Sequence, residues 1–280
     1  YLVPRIDAPD YIDKVVEIAK ENDVKAVTTL IDPEIEILAK NRERFEKEGI
    51  LVLAPSAKTA HYCFDKYEMY RYLTEEGIPT PLTYDSLEHF KEGLAKGDID
   101  FPVFIKPRTG SGSVGAHKVD NMEQLEEDFA KGDFNYIIQE MMTSGDCDAD
   151  VYIDCYSHEP VAAFSKRKLE TKLGGASKTI SFKDERLFSF IKDICKVLEF
   201  NGPVDMDFWY RDGQYLLSEV NPRFGGAYLH AFGAGVDFFK LIQNNMNGIT
   251  NESIIGNYNE DVLMMMYDGV VIVNKSDLVK

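Results

Sequence analysis

Apolar residues Ile12, Val15, Val16 and Ala19 recur three and four apart behind Asp10, the spacing of one buried helix face opened by a capping residue. Residues 24–30 are β-rich and predict a strand. A second helix is expected from Asp32, with Pro33 at its first position and Gly49 just past its end. Residues 50–54 predict another short strand, and this alternation implies a small parallel sheet, a piece of a doubly wound domain. A helix over 65–76 should stop at Gly77. The Ile-Pro-Thr-Pro run at 78–81 stiffens the exit and marks an expected domain change.

Beyond it the pattern predicts a helix over 86–96, strands at 101–106 and 117–119 around a glycine loop, a helix over 122–130 and a strand over 136–140. The remainder reads as mostly antiparallel. Strands at 149–156 and 161–168 flank a turn, a helix covers 184–199, and a hairpin rich in acids covers 204–221. A further helix is expected over 236–244. Strands at 262–267 and 270–273 flank Asp268-Gly269, a favourable hairpin dipeptide. The expected class is therefore α/β followed by α+β.

A chain of 280 residues can hold two or three substructures with sizeable cores. The net charge of −17 argues against nucleic acid as a partner. It leaves room for one local basic pocket, to which Lys166-Arg167-Lys168 can contribute. Cys63, Cys147, Cys155 and Cys195 show no paired spacing, which fits reduced thiols and a cytoplasmic location. No apolar run approaches membrane-spanning length and no signal peptide is visible. The chain opens at Tyr1 without methionine, a hint that an upstream part is missing.

The acidic hairpin carries the most specific chemistry. Asp207, Glu219 and Asn221 offer oxygen ligands of the kind Mg²⁺ prefers. Glu219 and Asn221 are two apart and share a strand face, as do Asp205 and Asp207. Glu219 interrupts an apolar run at 215–220, where an unpaired carboxylate would be costly to bury. A strict two-residue turn at Asp212-Gly213 would pair Asp207 with Ser218 and send Glu219 to the opposite face. A common site therefore requires a three-residue loop or a bulge.

Mg²⁺ held by so few protein groups usually also holds phosphates, and a phosphate site lies upstream. The apolar strand at 101–106 ends in Lys106, and the loop at 107–116 has three glycines and two serines whose N–H groups can close on anionic oxygens. The spacing matches neither the Walker A pattern nor the dinucleotide fingerprint. A strand on each side suggests a flap. Such loops are more often ordinary turns, and the pairing with the acidic hairpin is what makes this one specific. His117, His158 and His230 receive no role, and the methionines at 264–266 are expected to fill core.

In this order the elements resemble the ATP-grasp superfamily over roughly 60–245. The resemblance is strongest to ligases related to the carbamoyl-phosphate synthase large subunit, with D-alanine–D-alanine ligase and biotin carboxylase more distant. It implies an N-terminal α/β domain over 1–60, lacking its opening strand and helix, then a small lobe with the phosphate flap over 61–141. A larger lobe with the metal site would occupy 142–280, the two lobes clamping ATP. By resemblance Lys66 approaches the phosphates, Lys106 spans the α and β phosphates, and Gly110, Ser111, Gly112, Ser113 and Val114 form the flap. Glu140, Met141 and Met142 read adenine. Asp146 stands where the family generally has a glutamate for the ribose hydroxyls.

Asp207, Glu219 and Asn221 then bind Mg²⁺ or Mn²⁺. Asp205 competes with Asp207, which the resemblance favours because it lies five residues after Gly202, as the ligand commonly does in that family. Arg223 steadies the transferring phosphoryl group, and Arg167 is a candidate contact for the acidic substrate. The implied reaction phosphorylates a small carboxylate with ATP, and an amine or thiol attacks the acyl phosphate. The chain has room for one such module, so a stand-alone ligase is expected, compatible with a homodimer and needing neither nucleic acid nor membrane. An ATP-grasp phosphotransferase and a nucleotide-binding fragment without activity are the competing readings.

Overall fold

A computed structural model of the chain describes residues 1–110, 112–172 and 175–277. The N-terminal part alternates as predicted, but its strands are short. Helix α1 (Tyr11–Glu21) leads to β1 (Ala26–Val27), which pairs in parallel with β2 (Leu51–Val52). Each strand has one partner, so the ladder spans two residues instead of the expected five to seven. The second helix breaks at Asn41 into α2 (Asp32–Lys40) and α3 (Arg42–Glu46), because the Asn41 amide turns back to donate to the Ile37 carbonyl. Ser56 caps an unpredicted helix α4 (Ala57–Phe64), accepting from the Thr59 N–H, and Ala60 packs on Ile35 and Ala39. Asp65 caps α5 (Lys66–Glu75), accepting from the N–H groups of Tyr67 and Glu68.

A second sheet is built from β3 (Thr83–Tyr84), β4 (Val103–Pro107), β5 (His117–Val119) and β6 (Tyr136–Glu140), in the antiparallel order β3-β6-β4-β5. Helices α6 (Leu87–Lys96) and α7 (Met122–Lys131), capped by Ser86 and Asn121, cover one face. Val103 and Ile105 point into this core with Phe90, Leu125 and Ile138. The period of two therefore sends Phe104 and Lys106 to the other face.

The third sheet contains β7 (Cys147–Ile153), β8 (Pro160–Lys172), β9 (Gly175–Phe182), β10 (Gly202–Arg211), β11 (Gln214–Asn221) and β12 (Leu263–Met265). It is antiparallel in the order β11-β10-β7-β8-β9-β12. Its core face carries Val151, Val204, Met206 and Phe208 against Leu187, Ile191 and Ile194 of α8 (Glu185–Val197). Met69 and Leu73 of α5 join this core. Two helices follow β11, α9 (Leu229–Gly233) and α10 (Phe238–Met246).

Strand β9 was not predicted. The expected hairpin at 262–273 does not form: β12 covers three residues, and no strand is described over 266–274. Asp268 pairs with Lys172 Nζ at 2.6 Å, and Val270 and Ile272 are exposed. The methionines do not fill core either. Met265 and Met266 are exposed, because β12 is an edge strand with β9 as its partner and no layer packed outside it.

The turn between β7 and β8 is anchored on α10 by buried Asp154. Its carboxylate accepts from the Asn245 amide at 2.6 Å and from the N–H groups of Tyr156, Ser157 and Asn251 at 2.9 Å. Burial alone would raise its pKa. These hydrogen bonds outweigh burial and hold it down to about 2. A depressed carboxylate stabilises the fold above its unfolded value near 4, and that contribution is lost as pH falls through 2. Between pH 5 and 2 the wild type should lose about 2 kcal/mol more stability to urea than Asp154→Asn does.

Candidate active site

The acidic hairpin solves its register problem with a bulge. Asp212 (φ +52°) and Gly213 (φ +86°) make a two-residue turn of the left-handed kind that tight hairpins use. Arg211 pairs with Gln214, and the ladder runs back to Phe208 opposite Leu217. It then slips by one residue, so Asp207 faces Glu219 and Asp205 faces Asn221, with Ser218 the extra residue. All four side chains share one face and line a cleft of about 1430 Å³ between the second and third sheets.

Registers with the neighbouring strands extend this into two rows. Glu219, Asp207, Asp148 and Lys166 oppose one another in turn across β11, β10, β7 and β8. Asn221, Asp205 and Asp150 form the second row. Like charges directly opposite repel, and two lysines offset this. Lys166 is fully buried, with Nζ 2.6 Å from Asp150 Oδ2 and 3.2 Å from Asp148 Oδ1. Lys168 Nζ lies 2.5 Å from Asp207 Oδ1 and 3.0 Å from Asp146 Oδ1.

Burial disfavours the charge on both lysines, but the surrounding carboxylates outweigh it and raise their pKa values. Burial, reinforced by Asp207, pushes Asp205 well up. Asp148 is also raised, chiefly by burial. Its Oδ1 sits near Lys166 but at an angle unsuited to a hydrogen bond, and is the one buried side-chain oxygen among the described residues without a hydrogen-bond partner.

Gly225 closes over these rows. A Cβ there would lie 2.8 Å from both Asp150 Oδ1 and Asp205 Oδ1. Those carboxylates are short and buried, so they have little room to yield. Gly225→Ala should destabilise the chain by about 1–3 kcal/mol, read from urea denaturation.

Across the cleft stands Lys106, 9% exposed. Its pKa is lowered by burial, pulled back up by Glu219, lowered further by Lys66 and raised by Asp207. It makes no hydrogen bond or ion pair with any described residue. Lys66, in the first turn of α5, donates from Nζ to the flap carbonyl of Gly110 at 2.6 Å. Asp65 ties the same helix start to the flap base, accepting from Arg108 Nε at 2.8 Å. Gly112 (φ +72°) and Ser113 (φ +56°) take left-handed backbone, with Val114 beside them on the cleft wall. Ser111 lies outside the described residues.

Met141 and Met142 line the cleft with Glu140. The Glu140 carboxylate is already engaged, accepting from the Leu82 N–H at 2.8 Å and pairing with Arg211. It ties β6 to the lobes instead of offering a free acceptor. Asp146 also has a partner in Lys168, and burial raises its pKa. Arg223 lines the cleft and pairs through Nε with Asp32 Oδ1 at 2.6 Å.

Arg167 is not brought to the cleft. Its guanidinium lies 4.2 Å from the Phe182 ring centroid, because strand alternation turns Lys166 and Lys168 inward and the residue between them outward. The cations facing the acids on this strand are Lys166 and Lys168. Asp148 and Leu30 line the cleft and had no assigned role in the sequence, nor did Asp32 as the partner of Arg223, while Lys168 was singled out only as part of a basic run. For Lys168 the signal was present, since two lysines two apart share a face. Asp32 and Leu30 carry no such local mark.

The side chains fit a metal nucleotide. Glu219 and Asn221 make no side-chain hydrogen bond with any described residue, leaving oxygens free for a hard cation. No group of three or more His, Cys, Asp or Glu that could hold a metal is found among the described residues. The candidate donors are the carboxylates of Asp207 and Glu219 and the carboxamide of Asn221, which would need further oxygens from a ligand to complete a shell. The buried ammonium of Lys106, unpaired among the described residues, fits an anionic oxygen. Most of the acids lie on one wall of the cleft.

The ATP-grasp domain model matches residues 63–227, and the PylC-like N-terminal domain model matches residues 1–53. The arginine-specific carbamoyl phosphate synthase large chain of Bacillus subtilis is 26% identical over 194 residues, covering 65% of this chain but 18% of that one. The biotin carboxylase domain of Hydrogenobacter thermophilus 2-oxoglutarate carboxylase, solved with MgADP, ADP and bicarbonate, superposes with a TM-score of 0.74 at 18% identity. That superposition covers 94% of this chain and 62% of that one. Carboxyaminoimidazole ribonucleotide synthase from Aspergillus clavatus, solved with ATP, gives 0.72 at 12% identity over 95% and 70%. These likenesses show the ATP-grasp fold, and no helix among the described residues is long and apolar enough to cross a membrane. With the domain model covering more than half of the chain, the protein belongs to the ATP-grasp family.

Proposed function

We propose that the chain is an ATP- and Mg²⁺-dependent ligase that activates a small carboxylate as an acyl phosphate and passes the acyl group to an amine. The observation that carries this reading is one cleft in which a buried ammonium without a partner, Lys106, faces the uncommitted oxygens of Glu219 and Asn221. A carboxylate oxygen would attack the γ-phosphorus and ADP would leave. The amine nitrogen would then attack the acyl carbon and expel phosphate. When bound, Mg²⁺ would neutralise phosphate charge between Asp207, Glu219 and Asn221.

The chain's own groups would do the rest. Lys66 and Lys106 neutralise phosphate oxygens from the 61–141 lobe, and Arg223 steadies the transferring group from the 142–280 lobe. Lys168 must yield Asp207 to the cation. The flap keeps water from the activated acid, and Met141 and Met142 offer backbone groups to adenine. The cleft exceeds the usual volume of a single-ligand site and leaves room for a second substrate.

The test is ADP release with ATP and Mg²⁺, screened against pools of small carboxylates with and without amines, with hydroxylamine to trap an activated acid. Stimulation by one acid, a hydroxamate product, and loss with EDTA or in Glu219→Ala are expected. Mg²⁺ or Mn²⁺ should restore the chelated sample. ATP binding with no stimulation by any acid would sink the ligase reading, and stimulation by an alcohol without hydroxamate would replace it with phosphotransfer.

A further inference from the structure

We propose that Asp32 is a positioning residue for Arg223, so that the N-terminal α/β part completes the phosphoryl-transfer site; this rests on the ligase reading. The two residues are 191 positions apart, and Asp32 Oδ1 accepts from Arg223 Nε at 2.6 Å with less than a fifth of either side chain exposed. Arg223 Nη1 donates to the Phe224 carbonyl at 2.9 Å. A guanidinium is a rigid planar fork, so fixing Nε and Nη1 fixes its plane. Nη2 is left with no acceptor among the described residues. The Arg223 backbone is held as well, its N–H donating to the Asn221 carbonyl at 2.7 Å.

Asp32 is itself well anchored. The hydroxyls of Tyr11 and Thr29 both donate to the buried Glu34 carboxylate, and the Ile31 N–H donates to Thr29 Oγ1 at 3.0 Å. These contacts fix the start of α2 against α1 and carry Leu30 to the cleft wall. An exposed ion pair would hold an arginine only loosely, but this one is shielded. Without Asp32 the guanidinium could turn to Asp207 or Glu219, which line the same cleft. It would then cover the oxygens assigned to the metal.

The test compares Asp32→Asn, Asp32→Ala, Asp32→Glu, Arg223→Ala and the double variant Asp32→Ala/Arg223→Ala, all in the full chain. We expect kcat to fall about tenfold to a hundredfold in Asp32→Asn and Asp32→Ala, with KM for ATP within about twofold and the thermal midpoint lowered by no more than Arg223→Ala lowers it. Asp32→Glu should recover part of the loss. The double variant should be no slower than Arg223→Ala alone, as coupled residues require.

A second readout needs no turnover. The Arg223 Nε–H proton, assigned by its absence in Arg223→Ala, should exchange slowly with water in the wild type. In Asp32→Ala it should exchange as fast as exposed arginines do. Wild-type kcat in Asp32→Ala, additive losses in the double variant, or fast exchange in the wild type would each overturn the proposal. A wild-type chain that turns over no ATP would defeat the ligase reading alone. The exchange measurement would still decide whether Asp32 holds Arg223.

Discussion

Replacing Lys106 by methionine should lower ATP-dependent turnover by about a hundredfold or more while leaving the fold intact. Lys106 is buried and lacks any counter-ion among the described residues, so its charge does little to hold the protein together. Burial lowers its pKa, so its surroundings disfavour that charge. Methionine keeps most of the aliphatic stem, and β4 is paired on both sides, by β5 and β6. The thermal midpoint should therefore stay level or rise. A bound phosphate would lose its buried cation, and removing one preorganised charge contact typically slows transfer by about 10²–10³. Turnover kinetics and a melting curve on the same preparation check both halves. Unchanged turnover would remove Lys106 from the phosphate site.

Lys166→Met should do the reverse, with stability as the casualty. Lys166 is fully buried within 3.2 Å of Asp148 and 2.6 Å of Asp150. Its removal leaves those carboxylates facing Asp205 and Asp207 across the strands, with Lys168, already paired with Asp207 and Asp146, as the nearby cation that remains. Breaking a buried pair from one side typically costs about 3–5 kcal/mol. In a chain of this size that is a fall in thermal midpoint of roughly 10 °C. Adding Asp150→Asn should recover part of the loss, because it removes one orphaned charge and keeps the shape. A variant as stable as the wild type would show that the acid rows already hold protons enough to need no lysine. Chemical denaturation of the two variants beside the wild type decides it.

Legibility in the sequence followed the range of each interaction. Helices α5, α6 and α7 are found within a residue or so of their predicted bounds, because Asp65, Ser86 and Asn121 cap them through contacts two or three residues away. Strand β6 matches its predicted span. By contrast, β9 carries no distinct local pattern, and it exists because β8 offers it an edge. The hairpin proposed at 262–273 had a good turn dipeptide and no sheet layer to pack against, and a favourable turn does not hold strands together alone.

The site divides along the same line. Residue types and spacings pointed to a candidate hard-cation site at Asp207, Glu219 and Asn221, a candidate anion site at Lys106 and a glycine loop between them, since oxygen-donor chemistry and strand periodicity are local properties. They also posed the register problem of the acidic hairpin, and the bulge at Ser218 is one of the two answers they allowed. Local spacing says which residues share a face but not which face meets the cleft. Only the packed sheets turned Lys168 inward and Arg167 outward, engaged the Glu140 carboxylate with Arg211, left Lys106 without a partner among the described residues, and set Asp32 against Arg223. Burial and charge pairing depend on residues brought together from across the chain, and no window of the sequence contains them.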